Sequence, residues 1–268
     1  MEIMKEFILV EWNKVRKYTA FWVMLILYVV GVLGLSLIIY EFHKESIGGG
    51  RPGSAQLFGS PFDYPDIWQT ISWISGWLFP ILGLLLITLI TNEYTFKTHR
   101  QNVIDGWSRD QFISVKWLWV FKFSGAAAVV AFLTVLLVGA MSSTPFSASG
   151  MENILWVFLQ SVSYMALALL VGVLIRRAGL AIVLYLLYTF VLMYILRHYV
   201  NEIDSSAQVG AYLPLTLSNE LIAFPFLKTA LKGQLTPPPP TYALVIGSLV
   251  YPLLMYWWMI FKFRKADL

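Results

Sequence analysis

Cysteine is absent from the 268 residues, which excludes disulfides, thiolate nucleophiles and cysteine-ligated zinc. Charge is scarce: Asp, Glu, Lys and Arg make up 13% of the chain, against about 25% in soluble domains. Histidine is limited to His43, His99 and His198, which fall in three different polar segments and cannot share a metal. The sequence holds no HExxH, no GxSxG and no pair of aspartates inside an apolar run, so an intramembrane hydrolase has nothing to work with. Nor does it hold a glycine-rich loop ending in Gly-Lys-Ser/Thr. The run GGGRPGSAQ at Gly48–Gln56 lacks that ending and reads as a flexible linker. The apolar runs carry no series of carboxylates, which argues against a proton-coupled pump.

What is abundant is apolar length. Hydrophobic residues make up 58% and aromatics 16% of the chain. A bilayer core of about 30 Å takes about 20 apolar residues in a helix. Six runs qualify: about Thr19–Tyr40, Ile71–Thr91, Trp117–Ala140, Ile154–Ile175, Gly179–Leu196 and Tyr242–Phe261. They are continuous rather than alternating, which rejects a β-barrel. The first run is too long for a signal peptide and is followed by no small-residue cleavage site, so it is expected to be retained. The fold class expected is an all-α membrane protein of six transmembrane helices, one domain over residues 1–268.

Net charge is +4, and its placement carries the topology. With an N-terminus inside, thirteen of the 19 basic residues lie on inner segments, five on outer loops, and Lys122 within the third run. Basic residues flanking spans stay cytoplasmic, so both termini are expected inside. The basic balance is a topology signal rather than a nucleic-acid one.

Ahead of the first span, residues 1–17 read as an amphipathic helix. Ile3, Met4, Phe7, Ile8 and Val15 share one half of the wheel, and Glu2, Lys5, Glu6, Asn13, Arg16 and Lys17 the other. Such a helix lies in the headgroup plane. Glu11 and Lys14 interrupt its apolar half: either both snorkel to water, or Glu11 pairs with a cation of another helix or subunit.

The first outer loop is expected over Glu41–Thr70. Residues 199–241 form a second long outer segment. Its middle, LPLTLSNELIAFPFLKTAL, is too apolar to be free in water and is broken by Pro214 and Pro225 into pieces too short to span. We read it as re-entrant helices before span 6, followed by a polyproline spacer at Pro237–Pro240. Arg176–Ala178 is so short a connection that helices four and five must be antiparallel neighbours. Trp22, Trp68, Trp73, Trp77, Trp117, Trp119, Trp257 and Trp258 lie near run ends and read as an interfacial belt.

The polar island TNEYTFKTHRQNVIDGWSRDQFISVK at Thr91–Lys116 is the most informative stretch. The helical pattern continues from the second span through Glu93, Tyr94, Phe96, Lys97, Arg100 and Val103. Gly106 interrupts it, and Ser108-Arg-Asp-Gln111 reads as a capping box opening the next helix. The reading is two helical pieces joined by a hinge near Asp105–Trp107. It is either a frayed extension of span two or a lever that docks into a soluble partner.

This island, with NEYTFKTHRQNVIDGWSRDQFISVK at 92–116 and LVEWNKVRKYTAFW at 9–22, resembles permease subunits of ATP-binding-cassette exporters in the six-helix class called type V. The resemblance implies an N-terminal interfacial elbow helix at 1–17 and a cytoplasmic coupling helix between spans 2 and 3, within 92–116. It implies two permease subunits, as a homodimer, on two copies of a cytoplasmic ATPase. ATP and Mg would bind that partner and no cofactor this chain, which would not itself be an enzyme. The location implied is multi-pass in the bacterial inner membrane. ATPase-coupling residues are then expected among Glu93, Tyr94, Phe96, Lys97, His99, Arg100, Asn102, Val103 and Asp105, with Phe96 and Val103 as apolar anchors.

Within the spans, Lys122 either snorkels or serves as a gate or headgroup contact. Pro80 predicts a kink. Gln160, Ser161, Ser163 and Tyr164 form a polar patch that serves interhelical hydrogen bonding or lines a path. Lys122, Gln160 and Tyr164 are the candidate path residues. An apolar, aromatic interior favours a lipid-like, amphipathic or peptide substrate over a small ion. Two other readings stay open: a channel or ion-coupled transporter, and a non-transporting subunit built on the same ATPase-linked frame.

Overall fold

A computed structural model of the chain describes residues 2–48, 60–98, 108–142, 144–203, 209–226 and 239–264. A short helix α1 (Glu2–Val15) precedes α2 (Thr19–Gly48), α3 (Ile67–Thr95), α4 (Arg109–Gly139) and α5 (Glu152–Ile175). The fifth span is composite: α6 (Ala178–Leu187), a π-helical turn (Tyr188–Leu192) and α7 (Met193–Ile203). After a 3₁₀ turn (Val209–Tyr212) and a single turn α8 (Thr216–Asn219), α9 (Thr241–Arg264) closes the bundle. Six of these helical stretches are long and apolar enough to cross a membrane, and no strand occurs among the described residues. The fold is that of an all-α, multi-pass membrane protein.

The spans outrun their apolar cores. α2 continues past Tyr40 to Gly48, because Glu, Phe, His and Lys extend a helix into water as readily as leucine does in lipid. The outer loop expected from Glu41 is correspondingly shorter. At the other end the reverse holds. The helix expected to run on through Val103 is broken after Thr95, where Phe96 caps it and Lys97 takes a left-handed φ of 57°, a conformation that an α-helix cannot continue; Thr98 is helical again, and residues 99–107 lie outside the described residues. The capping box is present: the Gln111 amide donates to Ser108 Oγ (3.2 Å), and the Ser108 amide to Gln111 Oε1 (2.8 Å). The glycine hinge lies outside the described residues.

α3 and α5 are buried over most of their length, while α2, α6–α7 and α9 bury only about a fifth of theirs. α5 packs against α3, α4 and α9, so the two central helices carry the polar patch and the helix-breaking Pro80. The α5–α6 connection turns at Arg176, again left-handed with φ 58°, and the two helices do pack together.

The segment before α9 matches the reading of short broken pieces. Ala211, Leu215, Leu217 and Ile222 are buried, and irregular backbone in such a place needs donors from its neighbours. They are supplied by the spans: Tyr251 Oη donates to the Tyr212 carbonyl (2.7 Å), Tyr188 Oη to Pro214 (3.1 Å) and Gln69 Nε2 to Ala223 (2.8 Å). Arg197 and Glu220 add an ion pair at 2.5 Å. Most of the polyproline spacer lies outside the described residues.

The belt reading fails for three tryptophans. Trp68 is fully buried and donates its indole N–H to the Ser147 carbonyl at 2.8 Å. Trp117 and Trp119 are buried as well. Proximity to a run end locates a residue along the helix axis but not around it, and these three face the bundle. Trp22, Trp77, Trp257 and Trp258 are exposed, as a belt requires.

Candidate functional site

Two polar sites stand out, one at the end of the bundle that gathers α1 and both ends of the 96–108 connection, and one beneath the cap formed by residues 209–226. At the first, Glu11 comes from α1, Glu93 from the last turn of α3 and Lys116 from the second turn of α4. The Lys116 side chain is buried between the two carboxylates and pairs with both. Lys14 completes the cluster, 3.1 Å from Glu11 and 3.7 Å from Glu93. Two carboxylates and two ammonium groups balance, which is the condition for keeping charges in such a place. Burial pushes the Glu11 carboxyl up, but the Lys116 and Lys14 ammonium groups outweigh it and hold Glu11 below the usual range. Trp12 stacks on Trp119, with centroids 6.4 Å apart, so α1 is fixed to α4 by an apolar contact beside the ionic one. A cavity of about 210 Å³ adjoins the cluster, bounded by Tyr18, Leu89, Phe96 and Trp119. Nearby, the Arg176 guanidinium lies 5.4 Å over the Tyr94 ring, and Arg264 grips Asp110, its Nε donating at 2.8 Å.

The expected coupling residues therefore divide. Glu93 is turned inward and committed to Lys116 rather than to a rim contact. Tyr94 is half-buried under Arg176. Phe96 projects outward, 73% exposed, and Lys97 is exposed beside it. His99, Arg100, Asn102, Val103 and Asp105 lie outside the described residues. Lys116 and Glu11 belong to the cluster, yet neither stood among the expected site residues. The available signal was Glu11 itself, a carboxylate on the apolar half of an amphipathic helix. Of its two readings the structure supports pairing, with a cation 105 positions away.

At the second site the polar patch of α5 meets the cap. Asn219, in α8, accepts at Oδ1 from Gln160 Nε2 (2.8 Å) and from Tyr164 Oη (3.1 Å), while its Nδ2 faces Met193 Sδ at 3.5 Å. Gly76 leaves the room for this: a Cβ there would stand 3.1 Å from Gln160 Nε2. Pro80, one turn on, offers no amide to the Gly76 carbonyl. On the facing span the π turn carries Thr189, whose hydroxyl donates back to the Tyr185 carbonyl at 3.0 Å. Single π turns inside α-helices are frequent at functional sites. Together these groups line a cavity of about 90 Å³.

The structure thus joins two of the three expected path residues. Gln160 and Tyr164 share the cavity, whereas Lys122 lies elsewhere, exposed, with its ammonium 4.5 Å over the Trp119 ring. No group of His, Cys, Asp and Glu able to hold a metal occurs among the described residues.

Residues 7–194 match the sequence model of a family described as ABC-2 family transporter protein. No curated protein matches the chain.

Proposed function

The chain belongs to the ABC-2 family of transporter proteins, and from that premise we propose that it is the permease subunit of an exporter driven by a separate cytoplasmic ATPase. As a transport membrane subunit it is not itself catalytic. In our reading two copies form the path, two ATPase subunits bind ATP and Mg, and the 92–116 connection receives their motion. The termini and that connection face the cytoplasm of a bacterial inner membrane.

The observation that supports this most is the Glu11–Lys116–Glu93 cluster. Glu93 and Lys116 stand at the two ends of the connection, so their pairing closes its base. A force applied between them reaches α3 and α4 as one body, and Glu11 brings α1 along. Phe96, exposed just outside this base, is an apolar anchor for a partner groove, worth more there than isolated rim charges.

The test is co-expression with candidate ATP-binding-cassette ATPases and purification in detergent, with vanadate-sensitive ATP hydrolysis as the readout. A stable complex whose activity collapses in Phe96→Asp and Arg100→Glu is the expected result. A chain that retains no ATPase, or whose complex is indifferent to both changes, overturns the proposal.

A further inference from the structure

The cavity beneath the cap has a floor and a mouth of different chemistry. Its floor is polar and buried: Gln160, Tyr164 and Thr189 are each less than a tenth exposed. Its mouth is aromatic and open: Trp77 is 51%, Tyr194 49% and Phe190 46% exposed on the outer flank of α3 and the fifth span. The opening therefore faces sideways out of the bundle, between two membrane-spanning elements, rather than along its axis.

The hydrogen-bond inventory of the floor is one-sided. Gln160 Nε2 and Tyr164 Oη are engaged by Asn219 Oδ1, and Thr189 Oγ1 by the Tyr185 carbonyl. Gln160 Oε1, in contrast, is buried and has no hydrogen-bond partner among the described residues. Turning the Gln160 amide alone does not relieve this, because its oxygen would then face Asn219 Oδ1, which already accepts from Tyr164; turning both amides would set Asn219 Oδ1 against Met193 Sδ, which has no proton to donate. A buried acceptor left unmatched is costly and calls for a donor. No charged residue lines the cavity, so an anionic group entering it would meet no counter-charge. Aromatic ring faces at the mouth favour the opposite sign. At about 90 Å³ the cavity is well below the ~300–1,000 Å³ of sites that enclose whole drug-sized molecules.

We propose that this cavity binds the head group of an amphiphile that donates a hydrogen bond and carries no negative charge, a hydroxyl or an ammonium, with its apolar chain leaving between Trp77 and Phe190. The head group donates to Gln160 Oε1, and the chain lies along the exposed flank of the bundle. This deepens the transport reading by naming what the path residues Gln160 and Tyr164 recognise.

The experiment uses the full chain alone in phosphatidylcholine nanodiscs, without ATPase, so that its outcome is separate from that of the coupling test. Three photoreactive amphiphiles of one chain length, with hydroxyl, ammonium and carboxylate heads, are cross-linked and mapped by peptide mass spectrometry. The hydroxyl and ammonium probes are expected to label segments 73–80 and 189–194 about fivefold more than the carboxylate probe, a ratio that one hydrogen bond supplies. Gln160→Met should remove that preference, and Gln160→Glu should raise ammonium over hydroxyl labelling. Trp77→Ala, at an exposed position, should lower labelling by both if Gln160→Met fails to fold. Adding diacylglycerol, a lipid whose head is a hydroxyl without phosphate, to the discs separates two sources of the same chemistry: displacement of the probes assigns the site to a resident lipid, and undiminished labelling to a free amphiphile. Equal labelling by all three head groups, or labelling elsewhere on the chain, overturns the proposal.

Discussion

At one end of the bundle polar atoms are buried as full charges, and beneath the cap at the other they are buried as amides and hydroxyls. Glu11, Glu93, Lys116 and Lys14 neutralise one another, and Lys14 keeps about a third of its side chain in contact with solvent. Gln160, Tyr164 and Asn219 contain no charge at all. The difference follows position. Gln160 lies more than two turns into α5 from Glu152, where an ion has no route to water, whereas the ionic cluster sits at helix ends, within a side chain's length of it. Charges brace one end; at the other, in our proposal, neutral groups recognise. The first arrangement resists displacement because every partner is held by two others; the second leaves one acceptor open for a ligand.

Breaking the ionic end should cost most. Lys116→Met leaves two buried carboxylates facing each other and should destabilise the chain by about 3–5 kcal/mol, read as a fall in thermal midpoint in detergent. Neutralising the set together, with Glu11→Gln and Glu93→Gln added, should restore most of it. If the triple variant is no better than the single one, Lys116 matters through packing and not through its charge. At the neutral end, Asn219→Leu strands Gln160 Nε2 and the Tyr164 hydroxyl and should cost about 1–3 kcal/mol in the same assay.

Acidity sharpens the contrast. Because Glu11 is held below its ordinary value of 4.5, its contribution is fully present above that value and is lost as pH falls through the lowered one. The stability difference between wild type and Glu11→Gln should be constant near neutrality and shrink in acid. The cost of Asn219→Leu, which involves no titrating group, should be flat over the same range. The smallest effect on stability is expected at Phe96: Phe96→Asp at this exposed position should change unfolding by no more than about 0.5 kcal/mol while collapsing the ATPase activity of the co-purified complex. A large loss of stability there would mean that the side chain packs within the chain rather than on a partner.

Much of this was legible in residue order. Continuous apolar length located all six spans, and Ser108 with Gln111 marked the start of α4, because span hydrophobicity and capping are local properties. Pro214 and Pro225 similarly showed that the cap could hold only short pieces. Where the reading went astray, the missing information was rotational or long-range. Trp68 sits at a run end but faces the core. The helix past Thr95 had an acceptable face pattern, but Lys97 turns the backbone into a conformation that no periodicity announces. The π turn at Tyr188–Leu192 leaves no mark in an apolar run.

The sequence by itself determined that this is a six-span membrane protein with a polar handle between spans two and three, since each of those facts depends on the character of neighbouring residues. Only the tertiary structure decided that Lys116 would meet Glu11 and Glu93, and that Gln160 and Tyr164 would meet Asn219 while Lys122 would not. Those pairings depend on which helix faces turn toward each other, and that is fixed by the packing of whole helices rather than by any stretch of chain.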